Sequence, residues 1–128
     1  MILSKFHRIL KAGGSVLVDV YSLVAFDQRE EVVRYEVNLL NGFWSPYRYH
    51  GFLNTFKYDR EKVALDQYTI IEAERTRTVY IWLQYFSPEE IVREFMEAGF
   101  SVEGLYSDVA GTPYDPKSNE YAVIARRV

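Results

Sequence analysis

Apolar residues recur at helical spacing in two stretches and alternate in strand fashion through most of the rest of the chain. Leu3, Phe6, Ile9 and Leu10 mark a first helix, Leu3–Lys11, with Lys5, Arg8 and Lys11 on its other positions and Gly13-Gly14 ending it. It begins without a cap and without a preceding element, which points to something absent upstream. Ser15 to Tyr21 is a nearly continuous apolar run, the pattern of a strand buried on both faces. The second helix is the best marked. Ser87 and Glu90 have capping-box spacing, Pro88 falls at the first helical position, and Ile91, Val92, Phe95 and Met96 form one stripe. Gly99 ends it, and Phe100, Val102, Leu105 and Tyr106 start a strand interrupted at Gly104.

Between the helices the signals are shorter. Leu23 to Gln28 fits a short helix, and Val32 to Val37 fits either strand or helix. Asn41-Gly42 is a turn, and Phe43-Trp44-Ser45-Pro46-Tyr47 is an aromatic loop. Three strands follow at Arg48–Tyr58, Lys62–Glu74 and Thr78–Phe86, separated by short polar turns, so the middle of the chain reads as an antiparallel meander. The alternation puts Phe52, Asn54, Phe56 and Tyr58 on one face of the first of these strands. Both faces of the third are apolar, so the sheet is expected to be covered on both sides or to meet a partner. Residues 107–119 form a loop rich in Gly, Pro, Asp and Ser. Glu120 to Arg126 is a final strand, expected antiparallel to the one before the loop.

Length and composition narrow the classes. A chain of 128 residues supports one domain with one core. Eleven Tyr and eight Phe make its large rings mostly amphipathic, which suits a lined pocket or an interface. The net charge of −3 and the absence of a basic block speak against nucleic acid or an anionic membrane as partner. With no cysteine, disulfides, thiolate zinc sites and cysteine nucleophiles are excluded. The two histidines are 43 residues apart, so no compact metal-ligand set is visible. No apolar run approaches the ~20 residues of a membrane span, and the N-terminus lacks a signal-peptide core, so a cytoplasmic protein is the expectation.

Leu3 through Asp19, with Leu10-Lys11-Ala12-Gly13-Gly14 at the helix end, resembles the approach to the fifth strand of class I S-adenosylmethionine-dependent methyltransferases. Ala12 stands where that family usually has proline. Tyr85 through Val102, with Ala98-Gly99-Phe100, and the closing Tyr121 to Arg127 resemble the family's last helix and its final antiparallel strand pair. The meander is similar to the insertion that some small-molecule methyltransferases carry before that helix. Phe43 to Pro46, His50, Trp82 to Tyr85 and Asp108 to Tyr114 are the segments that resemble it.

The resemblance implies an α/β fold, α+β as a fragment: the C-terminal portion of a Rossmann-like methyltransferase sheet plus an inserted antiparallel β-meander. Residues 1–128 are expected to form one domain, with 1–22 and 87–128 the methyltransferase-like portion and 43–86 the insertion. The glycine-rich turn that holds the cofactor in that family has no counterpart here. The implied function is the substrate-covering C-terminal part of a small-molecule methyltransferase, inactive alone. S-adenosylmethionine is expected as cofactor of the full-length enzyme and not of this chain by itself. The alternative is a stand-alone small-ligand-binding or dimerisation module. A strand lacking its neighbour would leave an open edge, so a homodimer, or pairing with the missing N-terminal half, is expected.

Methyl transfer from a sulfonium rests on alignment more than on acid–base chemistry, so candidate residues are those that shape the acceptor pocket. Asp19 and Tyr21, beyond the end of the buried strand, are placed to orient an acceptor, although a turn role explains Asp19 equally. Phe43, Trp44, Trp82 and Tyr85 are candidates for an aromatic wall, and Tyr114 lies on a loop able to reach over the pocket. Each ring singly is also explained by core packing. His50 is the candidate general base, with a structural role in its aromatic strand as the plainer reading. His7, on the first helix, is expected to be solvated. No cofactor-binding or metal-binding residues are assigned.

Overall fold

Ser87 opens its helix as the spacing predicts. Its hydroxyl accepts from the Glu90 amide at 3.1 Å, and the Glu90 carboxylate accepts from the Ser87 amide at 3.1 Å. The computed structural model describes residues 1–128. It divides into two compact units, Met1–Asp27 with Tyr85–Val128, and Gln28–Gln84. The second unit starts at Gln28, whereas the sequence places the start of the meander at residue 43.

The first unit contains helix α1 (Ile2–Ile9), strand β1 (Ser15–Ser22) and the short helix α2 (Leu23–Gln28) up to Asp27. It also contains helix α3 (Pro88–Glu97) and strands β6 (Phe100–Tyr106) and β7 (Glu120–Arg127). β7 lies between the other two and is antiparallel to both, with Val18 opposite Val123 and Leu105 opposite Val123 on the far side. The expected three-strand arrangement is therefore present. Val16, Val18 and Val20 point into a core with Leu3, Ile91, Phe95, Phe100, Tyr121 and Val123, so α1 and α3 pack on one face of the sheet. Gly13, at φ +75°, and Gly14, whose amide donates to Lys11 O, turn α1 into β1.

The other face of β1 departs from expectation. Leu17 and Tyr21 are 49% and 47% exposed and Asp19 is exposed, so β1 is buried on one face only. Its outer edge is not wholly bare either. Tyr21 and Ser22 pair in parallel with Tyr85 and Phe86, while Ser15 to Val20 have no strand on that side.

The second unit is antiparallel throughout: β2 (Val33–Val37), β3 (His50–Tyr58), β4 (Val63–Ile71) and β5 (Thr76–Phe86, whose last two residues belong to the first unit). Val33–Val37 thus resolves as strand, and α2 forms where expected. The buried face of β3 is Gly51, Leu53 and Thr55, opposite the aromatic face. The reason lies in the loop from Asn38 to Tyr49. It takes left-handed φ at Asn38, Leu40 and Asn41, then lays Leu39 and Tyr49 onto the sheet, both 1% exposed. A Cβ on Gly51 would stand 2.5 Å from that of Leu39, so only glycine admits the loop. No helix of the chain is long and apolar enough to cross a membrane.

Candidate functional site

The carboxyl end of β1 brings together the most chemistry in the first unit. Asp19 and Tyr21 are two residues apart in a strand and share its exposed face. Glu120 of β7 is the cross-strand partner of Tyr21 and shares that face as well. Asp19, Val20, Tyr21 and Glu120 line a shallow cleft of about 230 Å³. The ring of Tyr21 lies 5.6 Å from that of Tyr85, and Phe26 meets Tyr85 edge-on at 5.4 Å. Tyr85 is 2% exposed and so supports Tyr21 from below, while Tyr21 keeps half its surface in solvent. Ser22, just beyond, is held by its hydroxyl, which donates to Ser118 O at 2.6 Å and accepts from the Ala25 amide at 3.3 Å. Two carboxylates and a phenol on one face can accept hydrogen bonds from an amine or hydroxyl and hold it in a fixed direction.

The other candidates lie elsewhere. Trp44 packs on Tyr68, on the buried face of the β2–β5 sheet, and Phe43 meets Trp44 edge-on at 4.9 Å while remaining 73% exposed. Trp82 stands on the opposite face, 5.8 Å from Tyr58. Trp44 and Trp82 therefore cannot belong to one wall, because the sheet lies between them. Tyr114 packs edge-on against Tyr121 in the core of the first unit instead of reaching outward. His50 is exposed, stacked on Tyr35, and its Nδ1 lies 2.7 Å from the Tyr35 hydroxyl. His7 is half-buried rather than solvated, packed edge-on against Phe100.

Sequence reasoning misses several polar residues. Glu120 reads only as the start of a strand, and nothing short of the β1–β7 register pairs it with Tyr21. Asp66, 8% exposed, accepts from the Thr55 hydroxyl at 2.7 Å and from the Arg29 guanidinium. Its place in the alternation of β4, between Ala64 and Tyr68, is the signal that could have found it. Burial, with the Asp66 carboxylate beside it, raises the Tyr68 phenol above its ordinary value. Burial likewise pushes the Tyr121 phenol far up, assisted by Tyr114, Glu89 and Glu90, and its hydroxyl donates to Phe86 O at 3.1 Å. Both are structural hydroxyls, not acids or bases at neutral pH. A cleft of the second unit, about 710 Å³, lies between Ser45–Arg48 and Glu72–Arg75 and contains no residue proposed from the sequence. No group of three or more His, Asp or Glu is arranged to hold a metal ion. The two glycines nearest a phosphate-binding pattern, Gly13 and Gly14, are used in the turn into β1.

No family model matches the chain, and no curated protein matches it. Solved structures do match, and S-adenosylmethionine-dependent and small-molecule methyltransferases are among them. An S-adenosylmethionine-dependent methyltransferase from Clostridium acetobutylicum ATCC 824 superimposes with a TM-score of 0.68 at 8% identity, over 98% of this chain and 49% of that one. The CcbJ methyltransferase from Streptomyces caelestis gives 0.66 at 13% identity, over 98% of this chain and 51% of that one. The sugar N-methyltransferase KedS8 from Streptoalloteichus sp ATCC 53650 gives 0.57 at 17% identity, over 98% and 47%. The chain has the mixed α/β fold of about half of such an enzyme, consistent with its C-terminal half, and spans about half the length of the structures it matches.

Proposed function

We propose that this chain is the C-terminal, acceptor-side half of an S-adenosylmethionine-dependent methyltransferase acting on a small molecule. The observation that carries the reading is β1. It is antiparallel to β7 on one side, as the last strands of such a sheet require, and on the other it has no strand partner from Ser15 to Val20. That open edge is where the strand of a preceding half would lie parallel to it. Asp19 and Tyr21, with Glu120, orient the acceptor's amine or hydroxyl beyond the carboxyl end of β1. S-adenosylmethionine supplies an already activated methyl group, so these side chains contribute direction and not proton transfer. The cofactor's own contacts come from the preceding half, because this chain has no glycine-rich turn.

Calorimetric titration tests the proposal. The 128-residue chain alone is expected to give no isotherm with S-adenosylmethionine. The same chain supplied with a glycine-rich strand–turn–helix half, encoded upstream or beside it, is expected to bind one equivalent. A one-to-one, low-micromolar isotherm for the isolated chain would overturn the half-enzyme reading.

A further inference from the structure

The cleft between Ser45–Arg48 and Glu72–Arg75, about 710 Å³, has the volume of a small-molecule site. One wall is the loop that leads into β3, and the other is the turn between β4 and β5. The turn is closed by the Glu72 amide, which donates to Arg75 O at 2.8 Å. The loop is held by Arg77 of β5, whose Nη2 donates to Trp44 O, and by the Tyr49 amide, which donates to Asn38 Oδ1 at 3.1 Å. Both walls are therefore in place before any ligand arrives, which lowers the cost of binding one.

Several polar groups of the cleft are uncommitted. Arg48 is exposed and makes no ion pair. Ser45 is 7% exposed; its Oγ accepts from the Tyr47 amide at 3.1 Å, and nothing in the chain accepts from its hydroxyl. A buried hydroxyl has a donor to place as well as lone pairs. Arg75 is held loosely. Its Nε lies 3.3 and 3.4 Å from the two Glu72 oxygens, longer than the ~2.7–2.9 Å of a good charge-assisted bond. The Arg77 Nε is buried without a hydrogen-bond partner, 3.8 Å from the same Glu72 carboxylate. An anion that takes Arg75 thus releases Glu72 toward Arg77, and a buried donor gains the acceptor it lacks.

We propose that this cleft binds a small aromatic monocarboxylate. Charge sets the valence of the anion. With Glu72 matched by Arg77, Arg48 and Arg75 against Glu74 leave one positive charge in the lining. One carboxylate neutralises it, whereas a phosphate dianion would add a surplus negative charge beside Glu72 and Glu74. The planar guanidinium forks of Arg48 and Arg75 match a planar carboxylate, and the Ser45 hydroxyl supplies a further donor. Tyr47 sets the body of the ligand. Its ring is 75% exposed and meets no other ring of the chain, so a flat apolar ligand stacked on it beside Pro46 and Ala73 buries surface that the fold leaves in water. The site lies wholly in the second unit, and its occupancy does not depend on methyl transfer.

Amide NMR titration of the 128-residue chain with 3-phenylpropionate provides the test. Shifts are expected at Tyr47, Arg48 and Ala73 to Arg75, with a dissociation constant on the order of 1 mM or lower. The Arg77 Nε–H resonance is expected to move with the same midpoint, as Glu72 turns to it. Three comparison ligands are 3-phenylpropan-1-ol, which lacks the charge, acetate, which lacks the ring, and phenyl phosphate, a dianion at neutral pH. Each is expected to bind about fivefold more weakly or worse. Arg48→Ala, at an exposed residue without an ion pair, keeps the fold and is expected to weaken 3-phenylpropionate about tenfold or more, and Arg48→Lys to restore only part of the loss. No shifts in the cleft, an unchanged affinity in Arg48→Ala, or an alcohol or acetate that binds as well would overturn the site. Phenyl phosphate binding as tightly as the carboxylate, or an Arg77 Nε–H that does not respond, would overturn the monocarboxylate assignment.

Discussion

Gly99 lies directly against His7: a Cβ on Gly99 would come within 2.7 Å of the His7 Nε2. The same glycine ends α3 with φ +88°, where its amide donates to Met96 O at 3.0 Å. Two separate constraints therefore act on one position. Gly99→Ala is expected to cost about 1–2 kcal/mol for the left-handed backbone, with the His7 clash added. Urea denaturation of Gly99→Ala, His7→Ala and the double variant separates the two terms. The double variant should recover the clash and keep the backbone cost; full recovery would show that φ is not limiting.

The α3 cap gives a second expectation. Ser87→Ala removes the acceptor for the Glu90 amide while leaving Pro88 in place. A loss of about 1 kcal/mol is expected, read as a lower midpoint in urea at constant slope. Glu90→Gln keeps an acceptor for the Ser87 amide and should cost less. Equal losses for the two would argue that helix-end charge, and not the reciprocal bonding, sets the stability.

Asp66 anchors the charged face of the β2–β5 sheet. It is the common acceptor for Thr55 and Arg29, and it is nearly inaccessible to water. Asp66→Ala is expected to destabilise by about 2–3 kcal/mol, more than Thr55→Val, which removes one neutral donor. Chemical denaturation of both variants gives the comparison. An Asp66→Ala loss no larger than that of Thr55→Val would mean that the Arg29 contact contributes nothing.

These anchors show which parts of the fold are legible in the chain. Ser87, Pro88 and Gly99 encode their helix locally, through capping and φ, and the pattern locates that helix to within a residue. The three β1–β7–β6 strands are legible because the helix-to-strand handovers at Gly14 and Gly99 are marked. The facing of strands is not. Val16-Leu17-Val18 reads as buried on both sides, yet only the valines meet the core. The alternation puts Phe52, Phe56 and Tyr58 on one face of β3 without saying which face is inside; Gly51, Leu53 and Thr55 are, because Leu39 and Tyr49 arrive from a loop no short-range pattern announces. The same limit applies to the candidate site. Asp19 and Tyr21 are legible from strand polarity, whereas Glu120 joins them only through a pairing between the two ends of the chain.

The loop after β6 supplies the pH dependence. The Asp108 carboxylate accepts from the Thr112 hydroxyl and from the Thr112 and Ala110 amides. Those bonds, the Thr112 hydroxyl first, hold its carboxyl below the usual carboxylate range. A depressed folded-state value means that the ordering of this loop is fully present above the ordinary carboxylate pKa and is lost as pH falls through the folded one. Amide exchange at Ala110 and Thr112 should therefore accelerate in acid beyond its intrinsic trend, and Asp108→Asn should remove that dependence. A pH-independent protection factor in the native chain would refute the assignment.

The last prediction concerns the edge of β1 on which the proposed function rests. In an antiparallel pair, alternate residues exchange hydrogen bonds with the partner and the others point away. Ser22 donates to Asn119 O and Arg127 donates to Gly14 O, which fixes the even-numbered residues of β1 as those bonded to β7. The amides of Val16, Val18 and Val20 are thus shielded, while those of Leu17 and Asp19 face the edge where no strand lies. Native-state hydrogen exchange by NMR should show that alternation directly, with Leu17 and Asp19 exchanging on the order of a hundredfold faster or more than the valines between them. A preceding half that adds a parallel strand would accept from the same two amides and slow them, leaving Val16, Val18 and Val20 nearly unchanged. Equal protection of all five amides in the isolated chain would mean that something already occupies the edge, and the seat proposed for the missing half would not exist.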